Sequence, residues 1–190
     1  MTGVQTCALP ISERFVALKA TIFKASVTVS DMDRNYYNTH VLTIARHPSE
    51  TDERMMVRLL AFALHAGERL EFGKGVSEDD EPALWRKDLT GAIQLWIEVG
   101  EPDEKRVRKA CGQADEVVVY GYGGASTDAW RASLAPLANR NNKLTVRRIA
   151  REDSRSMAAL AARNMTLTYT VQESRVWLSD GARDVQLDLG

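Results

Sequence analysis

Apolar and polar residues alternate in part along Leu18–Val29, where Ile22, Ala25 and Val27 sit among Thr21, Lys24, Ser26 and Thr28. A period of two predicts a β-strand. Asp31–Asn35 reads as a turn and Tyr36–Arg46 as a second strand, so the two predict an antiparallel hairpin. The period then changes. Met56, Val57, Leu60, Ala63 and Leu64 recur at helical spacing. Ser49 reads as the N-cap of that helix, which ends near Gly67, with Glu50, Asp52 and Glu53 acidic in its first turn. Leu70–Phe72, Leu84–Asp88 and Ala92–Val99 read as strands, the last two joined by a bend at Gly91, and the EDDEP segment (78–82) as a polar loop. Asp103 caps a helix running to about Ala114. Val117–Tyr120 is a continuous apolar run, typical of a strand buried on both faces. A Gly121–Gly124 loop, a helix over Thr127–Leu137, a strand over Leu144–Ile149 and a helix over Ser154–Arg163 follow. Thr166–Gln172, Val176–Ser179 and Val185–Leu189 close the chain as a β-meander. The fold class predicted is α/β: an α+β mixed sheet flanked by helices, with hairpins from both chain ends extending that sheet.

Residues 1–15 stand apart from this pattern. MTGVQTCALPIS has no basic n-region and its apolar stretch is broken by Pro10, so it does not read as a secretory signal. The string resembles translated sequencing-adapter sequence. It is set aside as a non-native or disordered extension, Cys7 is given no role, and residues 16–190 are read as a single domain.

Of the 190 residues, 44% are hydrophobic and 27% charged, which is enough for one buried core. Twenty-five basic against 26 acidic residues leave a net charge of -1, so duplex DNA is not gripped by overall charge. Contact with DNA or RNA would have to come from a local patch. No apolar run approaches the roughly 20 residues of a membrane span. Two cysteines make no disulfide framework, and a cytoplasmic setting is expected. Oligomeric state is not legible.

Candidate chemistry gathers on the Ala92–Val99 strand. Side chains alternate, so Ile93, Leu95, Ile97 and Val99 face one way and Ala92, Gln94, Trp96 and Glu98 the other. Glu98 is an acid on an apolar strand, and Asp88 closes the strand before it. If the two strands pair through the bend at Gly91, the carboxylates are expected to converge near one sheet edge. Two carboxylates suit Mg²⁺, which takes oxygen ligands and can activate water for phosphodiester hydrolysis. Lys105, Lys109 and Gln113 share a face of the following helix, and Glu53 lies at the edge of an apolar stripe. Plainer readings stand beside these. Asp88 caps the turn, Glu98 pairs with Arg106 or Lys109, Glu50 and Glu53 offset the helix dipole, and Lys105 is solvated.

ALKATIFKA (17–25), ARHPSETDERMM (45–56), DDEP (79–82), DLTGAIQLWIEVGEPDEKRVRKAC (88–111) and MTLTYTVQESRVWLSD (165–180) resemble the YaeQ family from about Ala17 to the end of the chain. That resemblance implies a restriction-endonuclease-like, PD-(D/E)XK phosphodiesterase scaffold with its core at about 49–121. It maps Asp88 and Glu98 onto the two motif acids and metal ligands, with Mg²⁺ as the cofactor. The motif lysine falls at Gly100, a departure from the pattern. A lysine moved onto the next helix would be Lys109, with Gln113 beside it and Glu53 as the helix acid. Two functions follow: a Mg²⁺-dependent nuclease, or a non-catalytic module that keeps the scaffold and binds nucleic acid or protein.

Other features are read as structural. Gly121–Gly124 precedes a helix as a phosphate loop would, but Ser126 stands where G-x-G-x-x-G needs glycine, and a plain connection is preferred. His40, His47 and His65 lack metal spacing. Cys111 is read as a small core residue and Trp96 as core or rim. Lys143, Arg147, Arg148 and Arg151 are read as plain surface.

Overall fold

The computed structural model describes residues 20–73 and 81–189. The calls on residues 1–15, on Cys7 and on the start of the acidic loop lie outside the described residues.

Strands β1 (Thr21–Asp31) and β2 (Tyr36–Arg46) form the expected hairpin. Helix α1 spans Asp52–His65. Its cap is Thr51, whose side chain accepts the Arg54 N–H, and not Ser49. Ser49 instead hydrogen-bonds His47 Nδ1 at 2.7 Å. Then come β3 (Leu70–Phe72), β4 (Leu84–Lys87), β5 (Ile93–Val99), α2 (Glu104–Gln113, capped by Asp103 as expected) and β6 (Ala114–Gly123). The chain continues through α3 (Ala125–Arg140), β7 (Leu144–Ala150), α4 (Arg151–Ala158), β8 (Asn164–Gln172), β9 (Arg175–Ser179) and β10 (Asp184–Asp188).

The terminal hairpins do not extend the central sheet; they make a second one. Sheet A has the order β10-β9-β8-β1-β2 and sheet B the order β3-β4-β5-β6-β7. The cause lies in β1 and β8. They pair in parallel from Lys24↔Asn164 to Asp31↔Val171, which ties the two chain ends to each other. Phe23, Ala25, Val27, Val29, Met165, Leu167 and Tyr169 then form one buried sheet face that needs its own cover.

That cover is α1. Met55 to Ala63 are all buried, so this helix is enclosed on every side. It packs on β1 of one sheet and on β5 and β6 of the other, with α4 beside it. Truncating Leu59 or Leu60 to alanine would cost about 2–5 kcal/mol by the usual cavity cost. The enclosure also buries Arg58, 1% exposed, whose Nε lies 2.9 Å from Glu50 Oε1 and whose guanidinium sits 5.6 Å over the Phe72 ring. Glu50 is thus an interior counter-ion as well as a residue near the helix start. The outer face of sheet B carries a second core, where Trp96, Val117 and Val119 meet Val107 and Cys111 of α2 and Leu134 of α3. Ile93 packs there as well, not with Leu95, Ile97 and Val99. No helix among the described residues is long and apolar enough to cross a membrane.

Candidate functional site

Hairpin register decides the fate of the predicted acid pair. Strands β4 and β5 pair antiparallel, with Arg86 opposite Leu95 and Leu84 opposite Ile97. Asp88 lies in the turn. Its Oδ1 accepts the N–H of Thr90 at 2.8 Å, the Thr90 hydroxyl at 2.7 Å and the N–H of Ala92 at 2.9 Å. Glu98 lies at the far end of β5, six residues past Ala92. At about 3.3 Å per residue that separation is roughly 20 Å. The expectation that the two carboxylates converge is therefore corrected, because antiparallel pairing through a turn sends them to opposite ends of the hairpin.

Glu98 is 3% exposed, and its lone pairs face nearby donors. Trp96 Nε1–H donates to Oε1 at 2.9 Å and Arg106 Nε–H to the same oxygen at 2.8 Å. Arg106 Nη2 lies 3.4 Å from Oε2 and also donates to the Glu81 carbonyl at 2.8 Å. Trp96, 2% exposed, is thereby fixed in the core with no open face for a base. Gly100, in the lysine slot, has φ +111, a conformation that a lysine would adopt only under strain. Lys109 and Lys105 line a groove of 470 Å³ with Asp103 and Arg106. Gln113 is exposed at the end of α2.

These residues do not fit Mg²⁺ as a pair. One acid sits at a hairpin tip, and the other already faces a guanidinium and an indole N–H. Among the described residues, no group of three His, Cys, Asp or Glu side chains is placed to hold a metal ion.

Glu53 leads elsewhere. It lines a cavity of 460 Å³ at the C-terminal edge of the parallel strands, with Glu101, Tyr122, Gly123, Thr127, Arg151 and Arg155. Open α/β sheets bind ligands at this edge. Strand β6 runs on to Gly123, through residues predicted to be loop, and α3 starts at Ala125, so that Gly124, Ala125 and Ser126 lie on the cavity lining. Gly123 has φ +133, and a Cβ on it would lie 2.6 Å from Thr127 Oγ1, so no side chain fits there. The Thr127 hydroxyl lies 2.6 Å from Glu101 Oε1, and the Ser154 hydroxyl donates to Glu53 Oε1 at 3.0 Å. Both acids are thus held by hydroxyl groups. Arg151 reaches over the loop, its Nη1 lying 3.7 Å from where a Gly124 Cβ would stand. No ion pair or side-chain hydrogen bond engages the Arg151 or Arg155 guanidinium among the described residues. Half-burial pushes the Tyr122 phenol up from its ordinary value.

The other basic residues singled out in sequence are engaged. Arg148 pairs with Asp128, Lys143 donates to the Ala114 carbonyl at 3.1 Å, and Arg147 reaches the Leu189 carbonyl at 3.4 Å. Arg155 was missed. Its one sequence signal is its place four residues after Arg151, on the same face of a helix.

Comparison with known proteins places this arrangement in context. A family model described as YaeQ protein matches residues 16–189. The chain is 44% identical over 174 residues to the YaeQ protein of Escherichia coli (strain K12), covering 92% of this chain and 96% of that one. The YaeQ protein of Salmonella typhi is 43% identical over 178 residues, with the same coverage. Among solved structures, the YaeQ protein from Xanthomonas axonopodis pv. citri superposes with a TM-score of 0.86 at 49% identity, over 88% of this chain and 95% of that one. The YaeQ protein from Pseudomonas syringae gives 0.84 at 32% identity, over 89% and 93%.

Proposed function

This chain belongs to the YaeQ family, and from that premise we propose that it is a nucleic-acid-binding module on a nuclease-like scaffold, holding a nucleotide phosphate between Arg151 and Arg155. The order helix, strand, strand, strand, helix, strand from α1 to β6 supports the scaffold reading. One observation carries the binding reading: two arginines border a 460 Å³ cavity with no partner of their own among the described residues. The α3 N-terminus adds amide donors and the positive end of a helix dipole. The volume lies within the usual range for a small-ligand site. Glu53 and Glu101 are acceptors suited to sugar hydroxyls or base amino groups, so a nucleotide unit matches the lining better than an inorganic anion.

The Mg²⁺-dependent phosphodiesterase reading, with Asp88 and Glu98 as ligands and Lys109, Gln113 and Glu53 in support, is the weaker of the two. Its acids are at opposite ends of a hairpin and its lysine slot is a left-handed glycine. No step is derived through the metal.

Fluorescence anisotropy with single-stranded DNA, duplex DNA and RNA tests the proposal. Binding should weaken with salt and drop sharply in Arg151→Ala/Arg155→Ala. A cleavage assay with Mg²⁺ or Mn²⁺ on the same substrates tests the other reading. Metal-dependent cleavage abolished by Asp88→Ala and by Glu98→Gln would reinstate the nuclease.

A further inference from the structure

The open edge of sheet A is built differently from the other sheet edges. Among the described residues, strand β2 pairs with β1 on one side only, and without a break, from Thr21↔Arg46 to Asp31↔Tyr36. Its eleven residues contain neither proline nor bulge, and from Tyr36 to Ala45 they carry no Asp, Glu, Lys or Arg. The other edges are short or charged. Strand β10 has five residues with Asp184 and Asp188 at its ends, β3 has three residues, and β7 carries Arg147 and Arg148. Those are the usual defences of an edge strand, and β2 has only Arg46, at its last position and paired with Asp52.

The ladder shows which groups are left over. Lys24 N–H donates to the Arg163 carbonyl, on the side of β1 away from β2. Its register partner Thr43 therefore does not exchange hydrogen bonds with it. Backbone direction alternates, so Tyr37, Thr39, Val41 and Thr43 turn their N–H and C=O groups to the open edge, while the Ala45 carbonyl accepts from Arg58 Nη2 at 3.5 Å. The Thr39 amide agrees independently: it is capped at 2.8 Å by the Asn38 side chain, not by β1. On the outer face of the same strand, Tyr37 is 60% exposed and Val41 is 86% exposed.

We propose that β2 pairs antiparallel with β2 of a second copy of this chain, joining two five-stranded sheets into one across a two-fold axis at Val41. A second copy is the occupant the edge fits, because an uncharged strand meets no like-charge repulsion when it faces itself. The register centred on Val41 sets Val41 against its own counterpart, Thr39 against Thr43 and Tyr37 against Ala45. Val41 and Thr43 then present their outward groups in hydrogen-bonding pairs, the Asn38 side chain gives up the Thr39 amide, and the exposed apolar side chains meet across the axis. Centring on an even-numbered residue would face groups already used by β1. This inference is independent of the ligand cavity.

Sedimentation of the full chain over a concentration series tests it. The wild type should be a dimer. Val41→Pro removes one outward N–H that β1 does not use, and Val41→Lys adds a charge at the axis. Each should raise the dimer dissociation constant at least about 100-fold, the loss of two central hydrogen bonds and their neighbours. Both should keep the wild-type circular dichroism. A wild type that stays monomeric throughout the series overturns the proposal. So does a dimer unmoved by both Val41→Pro and Val41→Lys.

Discussion

Glu98 and Arg151 lie at the same C-terminal edge of sheet B, one at the end of β5 and one just past β7, yet their charges are handled in opposite ways. Glu98 is sealed under α2 by Trp96 and Arg106. Arg151, with Arg155, stands at the rim of a cavity with no such partner among the described residues. A charge whose acceptor sites already face fixed donors contributes to folding and has little left for a ligand. A charge held beside an empty volume contributes little to folding and is available. The difference shows that charged residues at strand ends are sorted by their partners, not by their spacing in sequence.

The largest effect should come from the sealed side. Glu98→Ala removes one member of a largely buried pair and strands Arg106 and the Trp96 N–H. It should cost about 3–5 kcal/mol in urea unfolding, the typical loss when such a pair is broken. Glu98→Gln, which keeps an acceptor for the indole, should cost less. A Glu98→Ala protein of full stability that has lost nucleic-acid binding would reverse the contrast.

A second effect belongs to the interior between the sheets. His65 hydrogen-bonds the Tyr120 hydroxyl at 2.8 Å. Burial, with Arg34 and Arg147 nearby, holds its pKa down from 6.5 to about 4. The unfolded chain takes up this proton below about pH 6.5 and the folded chain only below about 4. Stability therefore falls as pH drops across that window, by about 3 kcal/mol. His65→Gln should flatten the slope between pH 6.5 and 4. An unchanged slope would assign the acid response to other groups.

Much of the fold was legible because its signals are local. The two periods, the Asp103 cap and the apolar Val117–Tyr120 run each need only neighbours in sequence to be seen. The two-sheet division was not legible, because it rests on the parallel pairing of β1 with β8, strands separated by most of the chain. The site divides the same way. Trp96 and Glu98 were correctly placed on one strand face. The error with Asp88 lay in reading an antiparallel hairpin as bringing together two residues that its turn holds apart. Arg155 was missed because an i, i+4 arginine pair is common on a solvated helix face, and the cavity beside it distinguishes this one.

On the open side, expected effects fall on binding and spare stability. Arg151→Ala and Arg155→Ala should each weaken oligonucleotide binding about 10-fold, as for loss of one charge-assisted hydrogen bond. Unfolding free energy should stay within about 0.5 kcal/mol, as for a surface change. If both variants bind as the wild type does, the cavity is not the phosphate site.

The smallest effect should come from Asp88, and it tests whether the hairpin tip belongs with the sealed side. The side-chain hydrogen bond from Thr90, with the backbone N–H groups of Thr90, Ala92 and Gly91, holds this carboxyl below its ordinary value. A group lowered on folding contributes stability above its unfolded pKa and loses it as pH falls through the folded one. Asp88→Ala should therefore unfold at a slightly lower temperature than the wild type at neutral pH. The gap should close in acid, once the wild-type carboxylate is protonated and its turn contacts weaken. Mg²⁺ should leave the gap unchanged, because the three donors on Oδ1 come from the turn itself. A Mg²⁺-dependent rise in melting temperature seen in the wild type and absent from Asp88→Ala would make the tip a metal ligand, and the contrast between closed and open charge would then have to be redrawn with Asp88 on the open side.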